Sequence, residues 1–299
     1  MRGALCRKDF SARRILFSMA DVTTRPVATL RDHATALEAA LAMCLGDPKP
    51  KPVHKLRTET RRIEAQLVLL DQMHGLPAFQ KEAAKVRKQL KRLRRTAGRV
   101  RDLDVQRELL ENEETQSDAK PDVRAMARLR KQRREEAADE LLEQLEKRQT
   151  KLANTLEALL EALEPAAHLK LAATELLAMV ERQFRNNREL KAQQPTTDQL
   201  HKLRKTAKVA RYLAENAPDS RRAKQTAKQY ESLQQAGGEW HDWMELTKEA
   251  KEELGRHHAL VDVFGRKCNR HLDQFHKLLQ PFRENRRKLP PKRSTKSIS

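Results

Sequence analysis

Apolar residues recur along most of this chain at alternating intervals of three and four positions, which is the spacing of one buried stripe on an α-helix. The segment 53–70 shows the pattern well, because its stripe comprises Val53, Leu56, Thr60, Ile63, Leu67 and Leu70. The sequence has no runs that alternate between apolar and polar residues, and Leu, Ala, Glu, Lys, Arg and Gln dominate. The pattern predicts an all-α protein.

Helix-breaking residues divide this pattern into eight predicted helices. The proline-rich segment 46–52 ends the first helix and begins the second, and residues 75–77 end the second. A polar stretch at 111–121 then precedes a long fourth helix that ends near Pro165. In the second half the predicted helices cover about 166–192, the segment around His201 up to Pro218, about 219–236 and about 239–280.

The second half of the chain repeats a phrase of the first half. His54-Lys55-Leu56-Arg57 recurs as His201-Lys202-Leu203-Arg204, and each copy is followed roughly 40 residues later by a Gly-x-x-(Arg/His)-Asp element, at 98–102 and 238–242. Two such pairs at nearly the same offset indicate a tandem duplication with a length difference in one connecting segment. The predicted repeats are 25–165 and 166–283, together one domain.

The cysteines, the apolar stretches and the termini indicate the cellular compartment. Cys6, Cys44 and Cys268 are widely spaced and form no CxxC pair, which favours a reducing compartment and disfavours a disulfide framework or a zinc site. No stretch of the sequence approaches the roughly 20 apolar residues that cross a bilayer. The termini, 1–24 and 284–299, are predicted to be a disordered extension and a disordered basic tail, with an Arg-rich transit peptide as the alternative for the start of the extension. We expect a cytoplasmic protein without a membrane partner.

The net charge indicates a polyanionic partner. The chain has 62 basic against 42 acidic residues, a formal charge of +20 that is far beyond what solubility requires. Only 4% of the residues are aromatic, whereas proteins that bind single-stranded nucleic acid usually stack bases on aromatic rings. The composition therefore favours a polyanion without bases.

The basic residues lie on helix faces next to the apolar stripes. In the two copies of the repeated phrase these faces comprise His54, Arg57 and Arg61, and His201, Arg204, Lys208 and Arg211. A further face comprises Lys81, Lys85, Lys88, Arg92, Arg95 and Arg99. Its segment, 81–101, contains Glu82 as its only acidic residue, so it lacks the Glu–Lys pairs that usually neutralise a solvated helix. We infer that these faces bind an anion, and that the paired histidines hydrogen-bond it or hold an arginine in place.

The sequence shows no catalytic machinery. It has no P-loop, no Gly-rich dinucleotide turn and no GxSxG motif. His241-Asp242 is similar to the metal-binding pair of some phosphohydrolases, yet its repeat partner is Arg101-Asp102, so the position favours a cation over a metal ligand. Neither His54 nor His201 is followed by a second His or a carboxylate three or four positions later on its face. We therefore predict a binding protein with no enzymatic activity, no cofactor and no metal.

These motifs resemble those of the CHAD family, the conserved histidine α-helical domains. The matching stretches are 53–57 with Arg61-Arg62, 90–93 leading through Gly98 into 101–105, 200–204 with Lys208 and Arg211-Tyr212, and 238–242. The resemblance covers about 25–285 and implies two tandem four-helix bundles related by pseudo-twofold symmetry, with a basic central channel that binds inorganic polyphosphate. Proteins of this kind are associated with polyphosphate granules and act as binding modules rather than enzymes.

The expected polyphosphate-binding residues combine the basic faces with the matched motifs. They are His54, Arg57, Arg61, Arg62, Lys88, Lys91, Arg92, Arg95, Arg99, Arg101, His201, Arg204, Lys205, Lys208, Arg211 and His241. The second copy departs from the first in having Lys208-Val209 where the first has Arg61-Arg62. The ExExK motif of the CYTH triphosphatase domain, to which such proteins are often fused, is missing, so triphosphatase activity is not expected.

Two other classes of function compete with polyphosphate binding. A helical nucleic-acid-binding protein also has helices rich in Lys and Arg, although an extended duplex needs an open surface whereas a tight channel admits only a thin strand. A metal-dependent phosphohydrolase would need a metal or a general base that the motifs do not supply. We expect inorganic polyphosphate to be the partner, with weak competition by nucleic acid and an affinity that falls steeply with salt.

Overall fold

The computed structural model describes residues 22–114, 119–218 and 220–287. Eight α-helices make up most of this part of the chain, four in each half, and the predicted all-α fold is confirmed. The first half contains α1 (Pro26–Gly46), α2 (Pro50–Leu70), α3 (Gln80–Glu114) and α4 (Lys120–Leu163). The second half contains α5 (Ala173–Arg185), α6 (Thr197–Glu215), α7 (Arg221–Leu254) and α8 (Ala259–Arg287).

Local sequence sets where several of these helices begin. Helices α1, α2 and α4 each have a proline in their first two positions, where the missing N–H would have no helical partner and the fixed φ suits the helix. Helix α6 begins at a capping box, in which Thr196 Oγ1 accepts from the backbone N–H of Gln199 and the Gln199 side chain accepts from the N–H of Thr196. Local sequence therefore determines the first residues of α2 and α6, the two helices that carry the repeated histidine phrase.

The main difference from the predicted boundaries concerns Gly237-Gly238. Helix α7 runs through both glycines without a break, and the chain turns at Gly255, whose φ is 89°. A Cβ atom on Gly237 would lie 3.0 Å from the Phe275 ring of α8. The predicted break between 236 and 239 is wrong, because Gly237 serves close packing between α7 and α8 rather than helix termination.

The start of the second half also differs from the prediction. Helix α5 is shorter than the predicted 166–192, because the flanking residues form 3₁₀ turns and a short strand. That strand, β2 (Leu171–Ala172), pairs antiparallel with β1 (Thr23–Thr24), which lies just before α1. The last residues of the predicted disordered extension therefore form a strand, while residues 1–21 lie outside the described part of the chain.

The end of the chain shows a similar shift. Helix α8 continues to Arg287, past the predicted start of the disordered tail at 284. The remainder of that predicted tail, 288–299, lies outside the described residues.

The helices pack around three main apolar cores. The first contains residues of α1, α2, α3 and α4. The second contains residues of α5 to α8, and Ala65 and Leu69 of α2 join it, so that α2 lies against α6. The third combines both halves, because Val123 and Met126 of α4 pack with Phe264 of α8. The two halves are therefore joined by apolar packing at two places.

A buried arginine reinforces this junction. The Arg130 side chain is fully buried, and its guanidinium contacts Glu253 at 2.6 Å and Glu249 at 2.8 Å, both on α7. Its Nε also donates to Gln106 Oε1 of α3 at 3.0 Å. Removing one partner of such a buried network leaves the other charges without compensation, so the network ties α3 and α4 to α7.

Candidate functional site

Helices α2, α3, α6 and α7 surround an open cavity of about 570 Å³ that receives basic side chains from both halves. Nine of the predicted binding residues line it: His54, Arg57, Arg61, Arg95, Arg99, Arg101, Arg204, Lys208 and His241. We call this space the basic cavity. The structure thus brings the two copies of the repeated phrase together, as α2 packs directly against α6.

In the first copy, the Gly98–Asp102 element holds Arg57 in place. Arg57 Nη1 donates to the backbone oxygen of Gly98 at 3.1 Å and to Asp102 Oδ1 at 2.9 Å. The Arg57 side chain is only 16% exposed, whereas that of Asp102 is 63% exposed. The spacing between the histidine phrase and the Gly-x-x-x-Asp element is therefore explained by one oriented arginine.

Arg204 of the second copy corresponds to Arg57, but its hydrogen-bonding groups are less well satisfied. Arg204 Nε is buried and has no hydrogen-bond partner among the described residues, and Asp242 interacts with Arg204 through its charge. A Cβ atom on Gly237 would lie 3.3 Å from Arg204 Cγ, whereas one on Gly238 would meet nothing within 4 Å. Gly237, which the sequence motif did not single out, is the glycine that leaves room for this arginine.

Three cations share the inner part of the basic cavity. Burial, followed by the charges of Arg204, Arg61 and Arg57, lowers the pKa of Lys208 well below its usual value. Burial and the neighbouring Arg57 lower the pKa of Arg61 to about 10, and burial lowers the pKa of Arg204 despite the attraction of Asp242. Desolvation and mutual repulsion thus oppose these charges in the free protein, and a bound anion would offset both effects.

The same surroundings lower the pKa values of the histidines. Burial, and then the positive charge of Arg101, lowers the pKa of His54, and burial with the charge of Arg204 lowers the pKa of His241 to about 3. Burial also lowers the pKa of His201. The histidines of the free protein therefore protonate at a lower pH than an ordinary histidine, which the sequence motif alone does not indicate.

His201 lies beside the cavity rather than on its lining. Its ring centroid is 5.0 Å from that of Trp240 and 4.9 Å from that of His241, the latter in an edge-on arrangement. His241 Nδ1 is buried without a hydrogen-bond partner among the described residues. The two histidines of the repeated phrase thus occupy different environments, with His54 at the cavity and His201 packed behind His241.

Other predicted residues are also absent from the cavity lining. Arg62 pairs with Glu59 at 2.7 Å, and Arg211 pairs with Glu215 at 2.6 Å and with Glu231 at 2.9 Å. Both guanidinium groups also lie over the Tyr212 ring. The remaining predicted residues, Lys88, Lys91, Arg92 and Lys205, are exposed on the outer surfaces of α3 and α6.

The cavity also contains residues that the sequence patterns did not identify. They include Thr58, Arg94, Gln234 and Gln235. Four other lining residues, Asp102, Tyr212, Glu239 and Asp242, belong to the matched motifs but not to the expected binding residues. Arg94 had a usable signal, because it is seven positions from Arg101 and therefore on the same helical face. The uncharged Gln234 and Gln235 had none, because nothing in the sequence distinguishes them from solvated positions.

A second cavity of about 650 Å³ adjoins the first and differs from it in charge. The two share Arg99, Asp102, His241 and Asp242 as lining residues. The second cavity, which we call the acidic cavity, is lined in addition by Arg133, Leu103, Gln106 and the carboxylates of Glu136, Glu245 and Glu249. Burial and the proximity of Asp102 raise the pKa of Asp242 to about 6, at the boundary between the two spaces.

Two further properties of the described residues concern metal binding and membrane insertion. They contain no group of three or more His, Cys, Asp or Glu side chains arranged to hold a metal ion. None of their helices combines the length and apolar character that crossing a bilayer requires.

Two solved structures resemble this fold. The crystal structure of the CHAD domain from the plant Ricinus communis matches with a TM-score of 0.58 and 20% identity over 88% of this chain and 91% of that one. PptA from Streptomyces chartreusis matches with a TM-score of 0.56 and 17% identity over 90% of this chain and 100% of that one. At these identities the likeness shows the fold alone.

Sequence comparison identifies the family directly. Comparison with curated proteins gives no significant match. The CHAD domain family model matches residues 28–251, which span both copies of the histidine phrase and both Gly-x-x-(Arg/His)-Asp elements. The chain therefore belongs to the CHAD family.

Proposed function

We propose that this protein binds inorganic polyphosphate in the basic cavity without hydrolysing it. The observation that carries the proposal is the group of three partly buried cations, Arg61, Arg204 and Lys208, which line the cavity together and whose pKa values are all lowered by desolvation. A polyphosphate chain carries about one negative charge per unit, so several phosphates in the cavity would compensate several of these cations at once. Membership of the CHAD family supports the same ligand.

Each type of side chain has a distinct part in this binding. Arg57 is oriented by Gly98 and Asp102, so its remaining donors face a ligand without first losing conformational freedom. Arg204 Nε and His241 Nδ1 have no hydrogen-bond partner in the described part of the chain, and a phosphate oxygen or an ordered water would satisfy them. His54 would accept a proton as phosphate approaches, because an anion raises the pKa that burial and Arg101 lower.

The cavity favours a thin anion over a duplex. Its walls come from four helices, and its cations lie within the space rather than on a convex surface. A polyphosphate chain has no bases to accommodate, whereas a duplex requires a broad basic face. Nucleic acid would therefore compete weakly, through exposed cations such as Lys88 and Lys91.

The direct test is a polyphosphate titration at about 50 and 200 mM salt, with DNA, RNA and heparin as competitors at equal phosphate or sulfate concentration. We expect the affinity to fall by about 100-fold or more across this range, because several counterions are released per protein bound. If DNA displaced polyphosphate from the protein at an equal phosphate concentration, this result would contradict selective binding of polyphosphate. Release of phosphate in the presence of Mg²⁺ or Mn²⁺ would contradict a purely binding role.

A pair of charge-matched variants separates the cavity from general attraction. Arg61→Gln with Lys208→Gln removes two cations from the basic cavity, and we expect about a 100-fold loss of affinity from two charge-assisted contacts. Arg128→Gln with Lys131→Gln removes the same charge from exposed positions of α4 and should change the affinity only a few-fold. Equal losses in both variants would show that net charge, rather than the cavity, determines binding.

We also propose that the protein is cytoplasmic and associates with polyphosphate granules. This follows from the proposed ligand and agrees with the free cysteines Cys44 and Cys268, since a reducing compartment keeps thiols free. A fluorescent fusion should coincide with granules in polyphosphate-accumulating cells. The Arg61→Gln, Lys208→Gln variant should instead be diffuse.

A further inference from the structure

Helices α1 and α4 form a continuous groove in the first half of the chain. Two adjoining cavities, of about 730 and 410 Å³, make up this groove and share Glu38, Ala153 and Leu156 as lining residues. On α1 the groove extends from Arg31 to Leu45, about 21 Å along the helix axis. The basic cavity is lined in this half by α2 and α3, so the groove and the basic cavity use different helices.

The groove is acidic, although the protein as a whole has a formal charge of +20. Its carboxylates belong to Glu38, Glu157, Glu161 and Glu164. Glu164 pairs with Arg31 at 2.5 Å, whereas the other three make no ion pair with any residue in the ranges that the structure describes. These three glutamates are exposed, and Glu157 and Glu161 repel each other across one helical turn. A cationic segment bound between α1 and α4 would offset this repulsion.

The floor of the groove between these carboxylates is apolar. Leu41 and Leu156 lie there and are buried. Leu45 and Leu160 are partly exposed, and Ala42 is exposed. An apolar floor between charged rims suits one face of an amphipathic segment, whose apolar residues face inward and whose charged residues lie at the rims.

The first 21 residues of the chain have a composition that complements this groove. They precede the described part of the chain and contain five basic against two acidic residues, a net side-chain charge of +3. Some of their apolar residues have the i, i+3, i+4, i+7 spacing with which an amphipathic segment binds a groove. These apolar residues are Ala12, Ile15, Leu16 and Met19, and Arg13 and Arg14 lie between them in the sequence.

The chain before Val22 begins at one end of the groove. Strand β1 pairs with β2, which follows α4, so Val22 lies at the end of the helix pair where α1 begins and α4 ends. The ion pair between Arg31 and Glu164 lies at the same end. Along the chain, Arg31 is no more than about 22 Å from Val22, and 21 residues can extend to about 70 Å. The segment is therefore long enough to reach every part of the groove.

We propose that residues 1–21 bind in the groove between α1 and α4 of the same chain, with Arg13 and Arg14 beside Glu157 and Glu161. The exposed part of the apolar floor is narrow, so electrostatic attraction supplies much of the binding. Tethering compensates for a weak contact, because it holds the segment near the groove at an effective concentration of about 1 mM or more. Binding there leaves the basic cavity open, and this inference does not rest on polyphosphate binding.

Disulfide trapping in the full-length chain tests this placement. The background variant has Cys6→Ser and Cys268→Ser and retains Cys44, which is buried. In this background, Ala12→Cys is combined with Ala153→Cys, because Ala153 lines both parts of the groove. A disulfide forms only when the Cα atoms of its two cysteines come within about 7 Å of each other.

A matched control places the second cysteine outside the groove. Ala158 is on the same helix as Ala153 and is also partly exposed, but it lies about 140° further around the helix axis. The control chain therefore combines Ala12→Cys with Ala158→Cys. Under a mild oxidant we expect the groove pair to form its intramolecular disulfide at least about tenfold faster than the control pair, because binding raises the local concentration of one thiol at the other.

A second pair of variants tests the contribution of charge. In the chain with the groove cysteines, Glu157→Gln with Glu161→Gln should slow trapping about fivefold, because two ionic contacts are lost. The control, Glu135→Gln with Asp139→Asn, makes the same charge change at the same spacing on exposed positions of α4 outside the groove. It should change the rate by less than about twofold.

Three results would overturn the inference. The first is an equal rate of trapping for the groove pair and the control pair, and the second is an equal effect of the two charge variants. The third is a disulfide that joins two chains, recognised by its doubled mass and by a rate that rises with protein concentration. That result would assign the groove to a second copy of the chain.

Fast trapping within one chain that slows only when the groove carboxylates are removed would establish binding of residues 1–21 in the groove.

Discussion

Polyphosphate binding should draw protons from solution, with Asp242 as the main acceptor near neutral pH. Burial and the nearby Asp102 raise the pKa of Asp242 to about 6, while Arg204, Lys208 and Arg57 act in the opposite direction. At pH 7 this carboxyl therefore carries about one-tenth of a proton. A phosphate charge about 6 Å away would raise its pKa by about two further units at an effective dielectric constant of about 20. Bound Asp242 would then carry about nine-tenths of a proton.

The resulting uptake is about 0.8 proton per phosphate chain bound at pH 7. Lys208 adds to it in the same direction, because its pKa is lowered in the free protein and a bound anion raises it. His241, with a pKa of about 3, stays unprotonated at pH 7 even after a similar rise. Binding should therefore weaken as the pH rises, by about sixfold per pH unit around neutrality. Ligand binding causes proton uptake in both kinds of group, because the bound anion raises the pKa of an acid such as Asp242 and of a base such as Lys208.

Calorimetry in two buffers of different ionisation enthalpy measures this uptake directly. The apparent binding enthalpy should differ between the buffers by the uptake multiplied by the difference in their ionisation enthalpies. The Asp242→Asn variant should lose most of the uptake yet still bind, because it removes a negative charge from the cavity. Zero uptake, or release of protons on binding, would refute the placement of the ligand beside Asp242.

Three further predictions concern stability. Gly237→Ala should destabilise the protein by about 1–3 kcal/mol, because the added Cβ would lie 3.0 Å from the Phe275 ring. In Gly238→Ala the added Cβ meets nothing within 4 Å, so this variant should be neutral or stabilised by up to about 1 kcal/mol. Urea unfolding of the two variants checks this prediction, and equal effects would contradict it. Lys208→Met should raise the free energy of unfolding by about 1 kcal/mol or more while weakening polyphosphate binding, since it replaces a partly buried charge that desolvation and neighbouring arginines oppose. A lower melting temperature would contradict this. Arg130→Ala should lower the free energy of unfolding by about 3–5 kcal/mol, because Glu249 and Glu253 would keep partly buried charges without their partner. A decrease of less than about 1 kcal/mol in urea unfolding would show that the network contributes little.

Periodicity was sufficient to predict the helices but not all of their ends. The three-and-four spacing identifies the stripe of α2 because burial of one face requires it, and all six positions of that stripe are buried. The pair Gly237-Gly238 is ambiguous, because the same residue type permits a turn and permits close packing. Which applies depends on Phe275, a residue of another helix, and no local pattern contains that information.

The candidate site was predictable to a similar extent. The repeated phrase identifies Arg57 and Arg204, which both line the basic cavity, whereas the two histidines of the same phrase have different surroundings. Arg62 and Arg211 have the same spacing as true lining residues, yet both pair with Glu215 of α6, and Arg62 also pairs with Glu59 of its own helix. Charge patterns along one helix cannot show which cations are neutralised by another. The lining residue Arg57 is itself paired with Asp102, so three-dimensional packing is needed to show which cations face the cavity.

The third apolar core makes the folding of each half of the chain depend on the other half. Val123 and Met126 of the first half pack there with Trp243, Leu260 and Phe264 of the second half, and β1, at the start of the first half, pairs with β2 of the second. A chain cut at the boundary between the repeats would expose these surfaces on both fragments. The two halves should therefore melt in a single cooperative transition, and neither should fold when expressed alone.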